Sequence, residues 1–171
     1  MAEKYTNTEA FIKKYGKEVE SEIKTRLLSY NKKASGKLYR SIKFDMRESV
    51  KSLDASWRME DYGAFVDGGI KGAGVPTGFG GKMKPVIKVG RFRFGSKQPP
   101  IDSIKKWCKV KGIDKGAAYA ISRSIWIFGI APTNFFTIPT TRRAKYFENQ
   151  IGVNMAKDID TQLQKEIDGN N

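Results

Sequence analysis

Apolar residues recur at every fourth position near both ends of the chain. Phe11, Tyr15, Val19, Ile23 and Leu27 form one such stripe, widened by Ile12 and Leu28. That spacing puts one apolar face along a helix and predicts one over 6–33. Thr6-Asn-Thr-Glu9 has the form of a capping box, with Glu9 expected to reach back to the free amides of the first turn. Asn31-Lys-Lys and then Gly36 predict its end. Phe147, Ile151, Met155, Ile159, Leu163 and Ile167 predict a last helix over 140–167. The shared period suggests that these two helices pack side by side on one face of a sheet.

The period changes to two between them. Leu38, Ile42, Phe44 and Met46 alternate with Tyr39, Ser41, Lys43, Asp45 and Arg47, with Arg40 interrupting the apolar side, and predict a half-buried strand over 38–47. Leu53, Ala55, Trp57 and Met59 repeat the pattern, and 62–67 reads as a third short strand stopped by Gly68-Gly69. Short polar turns between consecutive strands imply an antiparallel meander. Pro99-Pro100 opens a shorter helix whose stripe is Ile101, Ile104, Trp107 and Cys108 and whose end is Gly112. Asp114 is placed to cap the next helix, with Ala118, Ile121, Ile125 and Phe128 on one face and Gly129 at its end. Residues 130–139 read as extended, with Pro132 and Pro139 as stops. The predicted fold class is α+β: an antiparallel β-meander packed by long N- and C-terminal helices, with two shorter helices and a long basic glycine-rich loop. The length of 171 residues predicts a single domain over 1–171, with the loop at 70–97 as an insertion.

That loop is the local oddity. Residues 70–97 hold seven glycines, seven Lys or Arg residues and no acidic residue. Its cations, Lys71, Lys82, Lys84, Lys88, Arg91, Arg93 and Lys97, cannot all enter a core. Phe92 and Phe94 alternate with Arg91 and Arg93, so a strand over 86–94, bent at Gly90, would carry one aromatic and one cationic face. A half-buried strand with a solvated face explains the same pattern without a ligand. Gly78-Phe-Gly-Gly81 lacks the Gly-Lys-Ser/Thr ending of a phosphate-binding loop.

Composition narrows the chemistry. Hydrophobic residues are 39% and charged residues 29%, a globular balance. The 32 Lys and Arg against 18 Asp and Glu give a net charge of +14, which draws polyanions or acidic protein surfaces, or serves solubility. The absence of histidine removes the usual general base and the commonest metal ligand. The lone Cys108 excludes an internal disulfide and lies on an apolar stripe with no histidine to activate it. Asp45, Asp54 and Asp67 are the carboxylates that would have to meet in space for a metal-dependent nuclease. No run is apolar enough to span a bilayer, and Met-Ala-Glu-Lys-Tyr-Thr lacks the core of a signal peptide, so the expectation is a soluble protein made in a cytoplasm. No cofactor or metal is expected, and no enzyme activity. Trp57, Trp107 and Trp126 read as core or interface anchors, with Trp126 just off its helix stripe and so facing a partner subunit.

Three runs occur in a fixed order. Gly36, Leu38, Ser41 and Ile42 fit a Gly-x-Leu-x-x-Ser-Ile motif opening the first strand. Tyr62, Val66, Asp67 and Gly69 fit a Tyr…Val-(Glu/Asp)-x-Gly strand end. Pro99, Pro100, Ile104, Trp107, Lys111 and Gly112, then Ile121, Ile125 and Gly129, then Pro132, Phe135 and Phe136 make the third run. Together these runs resemble the tail-completion (head–tail joining, or neck) proteins of tailed bacteriophages. The resemblance covers about 36–139, and departs from the family where the connection from Gly69 to Pro99 is much longer here. It implies a structural protein of the virion neck, assembled in the host cytoplasm. Identical subunits would close a ring between portal or adaptor and tail proteins, with some cations facing DNA in the channel. On this view the basic loop and Trp126 form the inter-subunit or inter-ring contact. The alternative from charge alone is a small basic nucleic-acid-binding protein.

Overall fold

The computed structural model describes residues 5–30, 36–49, 52–74 and 89–169. Long helices at both ends, two shorter ones and a two-stranded antiparallel sheet make it an α+β protein, as the two periodicities predict. The chain packs as two compact units. One is drawn from Met1–Thr25, Ile42–Arg58 and Phe136–Asn171, the other from Arg26–Ser41 and Met59–Phe135.

The first unit holds most of helix α1 (Thr6–Ser29), the hairpin β1 (Lys43–Glu48) and β2 (Leu53–Arg58), and helix α6 (Thr137–Gly169). Three- and four-residue spacing turns Ile12, Tyr15, Val19 and Ile23 inward, each no more than 5% exposed. Their neighbours are aromatic. Tyr15 and Phe147 rings lie 4.9 Å apart, Phe11 and Phe147 5.7 Å, and Phe44 and its cross-strand partner Trp57 5.5 Å. Gly16 makes the approach of helix and hairpin possible: a Cβ there would overlap the Phe44 ring. The Trp57 indole N–H donates to the Gly16 carbonyl at 3.1 Å, and the Phe44 amide donates to Glu20 at 2.8 Å. Burial alone would raise the Glu20 carboxyl, but hydrogen bonds from Lys24 and the Phe44 amide outweigh it and hold it below the usual carboxylate range.

Helices α1 and α6 run antiparallel, as their polar contacts show. Arg143 reaches Glu18 at 2.8 Å and Glu22 at 3.0 Å near the end of α1, while Asp158 meets its start. The expected capping box does not form. Glu9 instead pairs with Lys13 one turn on. The cap comes from far away in sequence: Asp158, 4% exposed, accepts from the Asn7 and Thr8 amides at 2.8 and 2.9 Å. It also accepts from the Thr8 hydroxyl at 2.6 Å and the Asn7 side-chain amide at 2.9 Å. A carboxylate at a helix start satisfies orphan amides and meets the positive end of the dipole.

The second unit holds α2 (Lys37–Ser41), α3 (Gly63–Gly68), α4 (Ile101–Lys111), a 3₁₀ turn at Lys115–Ala117, and α5 (Ala118–Phe128). A small sheet has β3 (Ile70–Lys71) between β4 (Phe92–Arg93) and β5 (Gly129–Ile130). One expected strand and the start of another are therefore helical turns. The strand expected over 38–47 forms only from Lys43 as β1, its first part being α2, and the strand expected over 62–67 is replaced by α3 from Gly63, so among the described residues the meander reduces to one hairpin. The reason lies in the spacing. Leu38 and Ile42, like Tyr62 and Val66, are four apart, a separation that fits both periods. β4 pairs parallel to β3, not as a further antiparallel strand. Gly112 and Gly129 close α4 and α5 as expected, but Asp114 makes no side-chain cap. Pro139 lies inside the first turn of α6, where its missing amide costs nothing.

Two substitutions probe these joints. Asp158→Asn should cost about 1–2 kcal/mol at neutral pH, the range for a lost helix cap, measured by urea unfolding. Burial alone would raise the Asp158 carboxyl, but the bonds from Thr8 and Asn7 outweigh it and hold it below its ordinary range. Its contribution is thus present above the unfolded pKa and lost as pH falls through the lower folded one. The gap between wild type and variant should therefore close on acidification below about pH 4. Gly69→Ala should be worse, since Gly69 has φ +69° and a Cβ there would sit 2.6 Å from the Pro132 nitrogen. A loss of at least about 2 kcal/mol by the same measurement is expected.

Candidate subunit-contact surface

The three sequence runs meet within the second unit. The Ser41 hydroxyl donates to the Leu38 carbonyl at 2.8 Å and accepts from the Glu60 amide at 3.0 Å. Lys37 pairs with Glu60 at 2.8 Å, and a Cβ on Gly63 would lie 2.9 Å from Leu38. The first run is thus seated on the start of the second. The end of the second is seated on the third: Thr133 donates its hydroxyl to the Val66 carbonyl at 2.8 Å and its amide to the Asp67 carbonyl at 3.1 Å. The Asn134 amide reaches the same Asp67 carbonyl at 3.0 Å. Phe135 is completely buried and Asp67 is 3% exposed. Gly36, Leu38, Gly69 and Phe135 therefore serve packing and turns. Phe136 falls in the other unit, 6.5 Å from the Trp57 ring.

The basic loop is described in part. Lys82, Lys84 and Lys88, with the rest of 75–88, lie outside the described residues. The rest converge on the small sheet. The Arg91 amide donates to the Gly68 carbonyl at 2.9 Å and the Phe94 amide to the Lys71 carbonyl at 3.2 Å. Phe92 packs at a tilt against Phe65, ring centroids 4.4 Å apart, so its ring is already engaged within the unit. The Arg91 side chain covers Gly68, with Cδ 2.9 Å from where a Cβ would stand. Lys71 and Arg93 are exposed and directly opposed across the parallel pair. Like charges in that arrangement repel. Lys97 is exposed just beyond.

Trp126 is tied down on one edge. Its indole N–H donates to the Gly95 carbonyl at 2.9 Å, and its ring lines an open cavity of about 270 Å³ with Ser96, Gln98, Tyr119 and Arg123. Helix α4 carries a second basic surface that sequence reasoning passed over. Ile101, Ile104 and Cys108 face inward, but Trp107 is 37% and Val110 54% exposed. Lys105, Lys106, Lys109 and Lys115 surround, with Asp102, a shallow depression of about 440 Å³. Trp107, expected on the buried stripe with Ile101, Ile104 and Cys108, lies instead at its margin, three residues from Val110 and exposed with it.

The carboxylates do not assemble a metal centre among the described residues. Asp45 pairs with Arg58 across the hairpin, and Asp54 accepts from Ser52. No described helix is long and apolar enough to cross a membrane. No family model, curated protein or solved structure matches the chain.

The opposed cations yield a sharp expectation. Lys71→Glu should convert a repulsive cross-strand pair with Arg93 into an attractive one. Stability should hold or rise by about 0.2–1 kcal/mol in urea unfolding at low salt, with the gain shrinking in high salt.

Proposed function

We propose that this chain is a structural subunit of the head–tail connector of a tailed phage. Copies close a ring around the DNA channel and join the portal, or an adaptor on it, to the tail. The observation that carries this reading is the meeting of the three motif runs at backbone joints. The residues that give the sequence its family resemblance act as turns, caps and packing, and a scaffold protein needs that from them. The surface left over is cationic: Lys71 and Arg93 on the small sheet, Lys97 beside it, and the lysines of α4. An acidic surface on a neighbouring subunit or ring would relieve that repulsion. The resemblance further implies assembly in the host cytoplasm and residence in the virion neck.

Purified protein, alone or with the cognate portal, should give closed rings by negative-stain electron microscopy, and the chain should be present in mature particles. Reversal of Lys71 and Arg93 to Glu should leave the folded monomer intact and block incorporation. A monomer that binds duplex DNA tightly, with affinity falling steeply as salt rises, would overturn this reading in favour of a solitary nucleic-acid-binding protein.

A further inference from the structure

The apolar stripe of α6 outlasts its partner. Asp158 marks the level at which α1 begins, and eleven residues, Ile159–Gly169, continue beyond it. At about 1.5 Å per residue they extend roughly 16 Å. Phe147 and Ile151 are half-buried, but Met155 is 45%, Ile159 53%, Leu163 53% and Ile167 63% exposed. These four lie on one ridge at i, i+4 spacing, an apolar face left uncovered among the described residues.

The charges around that ridge are not random. Asp160 lies three residues before Leu163 and Glu166 three after it, so the two acids flank the stripe on either side. Lys157 and Lys165 sit two residues from stripe positions, toward the back of the helix. A chain of net charge +14 thus ends in a helix whose apolar face is edged with negative charge.

Helix α4 presents the converse. Trp107 and Val110, three apart, form an exposed apolar pair, continued by Ile113, 38% exposed, past the helix end. Lys106 is four residues before Val110 and Lys111 four after Trp107, so cations flank this pair on both sides.

We infer that the Met155–Ile167 ridge of one copy docks on the Trp107–Val110 face of α4 in a second copy, with Asp160 and Glu166 set against Lys106 and Lys111. The occupant is a second copy because the two faces match in both apolarity and charge and both belong to this chain. Two different patches meet, so the contact is heterologous and repeats from copy to copy, closing or not according to its rotation. It supplies the proposed ring with a subunit contact but does not require that reading.

A charge-swap experiment on the full chain tests it. One variant carries Lys106→Glu and Lys111→Glu, the other Asp160→Lys and Glu166→Lys. Sedimentation velocity at low salt should show wild type self-associating. Each variant alone should associate at least tenfold more weakly, and an equimolar mixture should recover association, because each then offers the other a complementary pair. Recovery on mixing also shows that both variants fold. Leu163→Asn, at a position already exposed, should weaken association by a similar factor whether or not the charge variants fold. A monomeric wild type, a Leu163→Asn variant that associates like wild type, or folded charge variants that do so or that mix without recovery would each overturn the contact. Rings that persist in the variants would overturn this contact and leave the connector reading standing. Mixtures that recover association only as open filaments would support the contact and count against the ring.

Discussion

One carboxylate fixes the register of the two longest helices. Asp158 accepts four hydrogen bonds from Asn7 and Thr8, and a slip of α6 by even one residue would remove it from the amides it satisfies. The cap stands at one end of the helix pair and the arginine pairs with Glu18 and Glu22 at the other. The exposed ion pairs are each worth little. The buried carboxylate is not, because its loss leaves donors unsatisfied inside the structure. The aromatic cluster between Phe11, Tyr15 and Phe147 can interlock only in the register that this cap selects.

The same cap decides how much of α6 is left over. Among the described residues no stretch of α1 lies beside α6 after Asp158, and the apolar stripe continues uncovered there. A stripe maintained for three turns past its intramolecular partner is costly to keep exposed unless something covers it.

Long-period patterns were legible in the sequence because many residues vote for each. The stripes of α1 and α6 repeat five or six times, and the two stripes of α4 and α5 are bounded by glycines whose backbone roles hold in the structure. Short elements were not. Around Leu38 and Tyr62 a four-residue interval satisfies a strand and a helix alike, and buried Gly63 and Asp67 tip the balance through packing that no local pattern reveals. The helix cap was misplaced for a related reason: Thr6 to Glu9 could have capped locally, but a residue 150 positions away reached the amides first. In the candidate surface, the cations of the small sheet were visible as composition. Their opposition across a parallel pair was not, because parallel pairing depends on where a long connection returns.

That opposition has a thermodynamic meaning. Lys71 and Arg93 are held side by side by the backbone of β3 and β4, so the free chain carries their repulsion as a standing cost. A surface bearing a carboxylate or phosphate at that point would offset part of it, which a neutral surface of the same shape would not. Any surface meeting the little sheet would therefore be discriminated by its charge as well as by its shape.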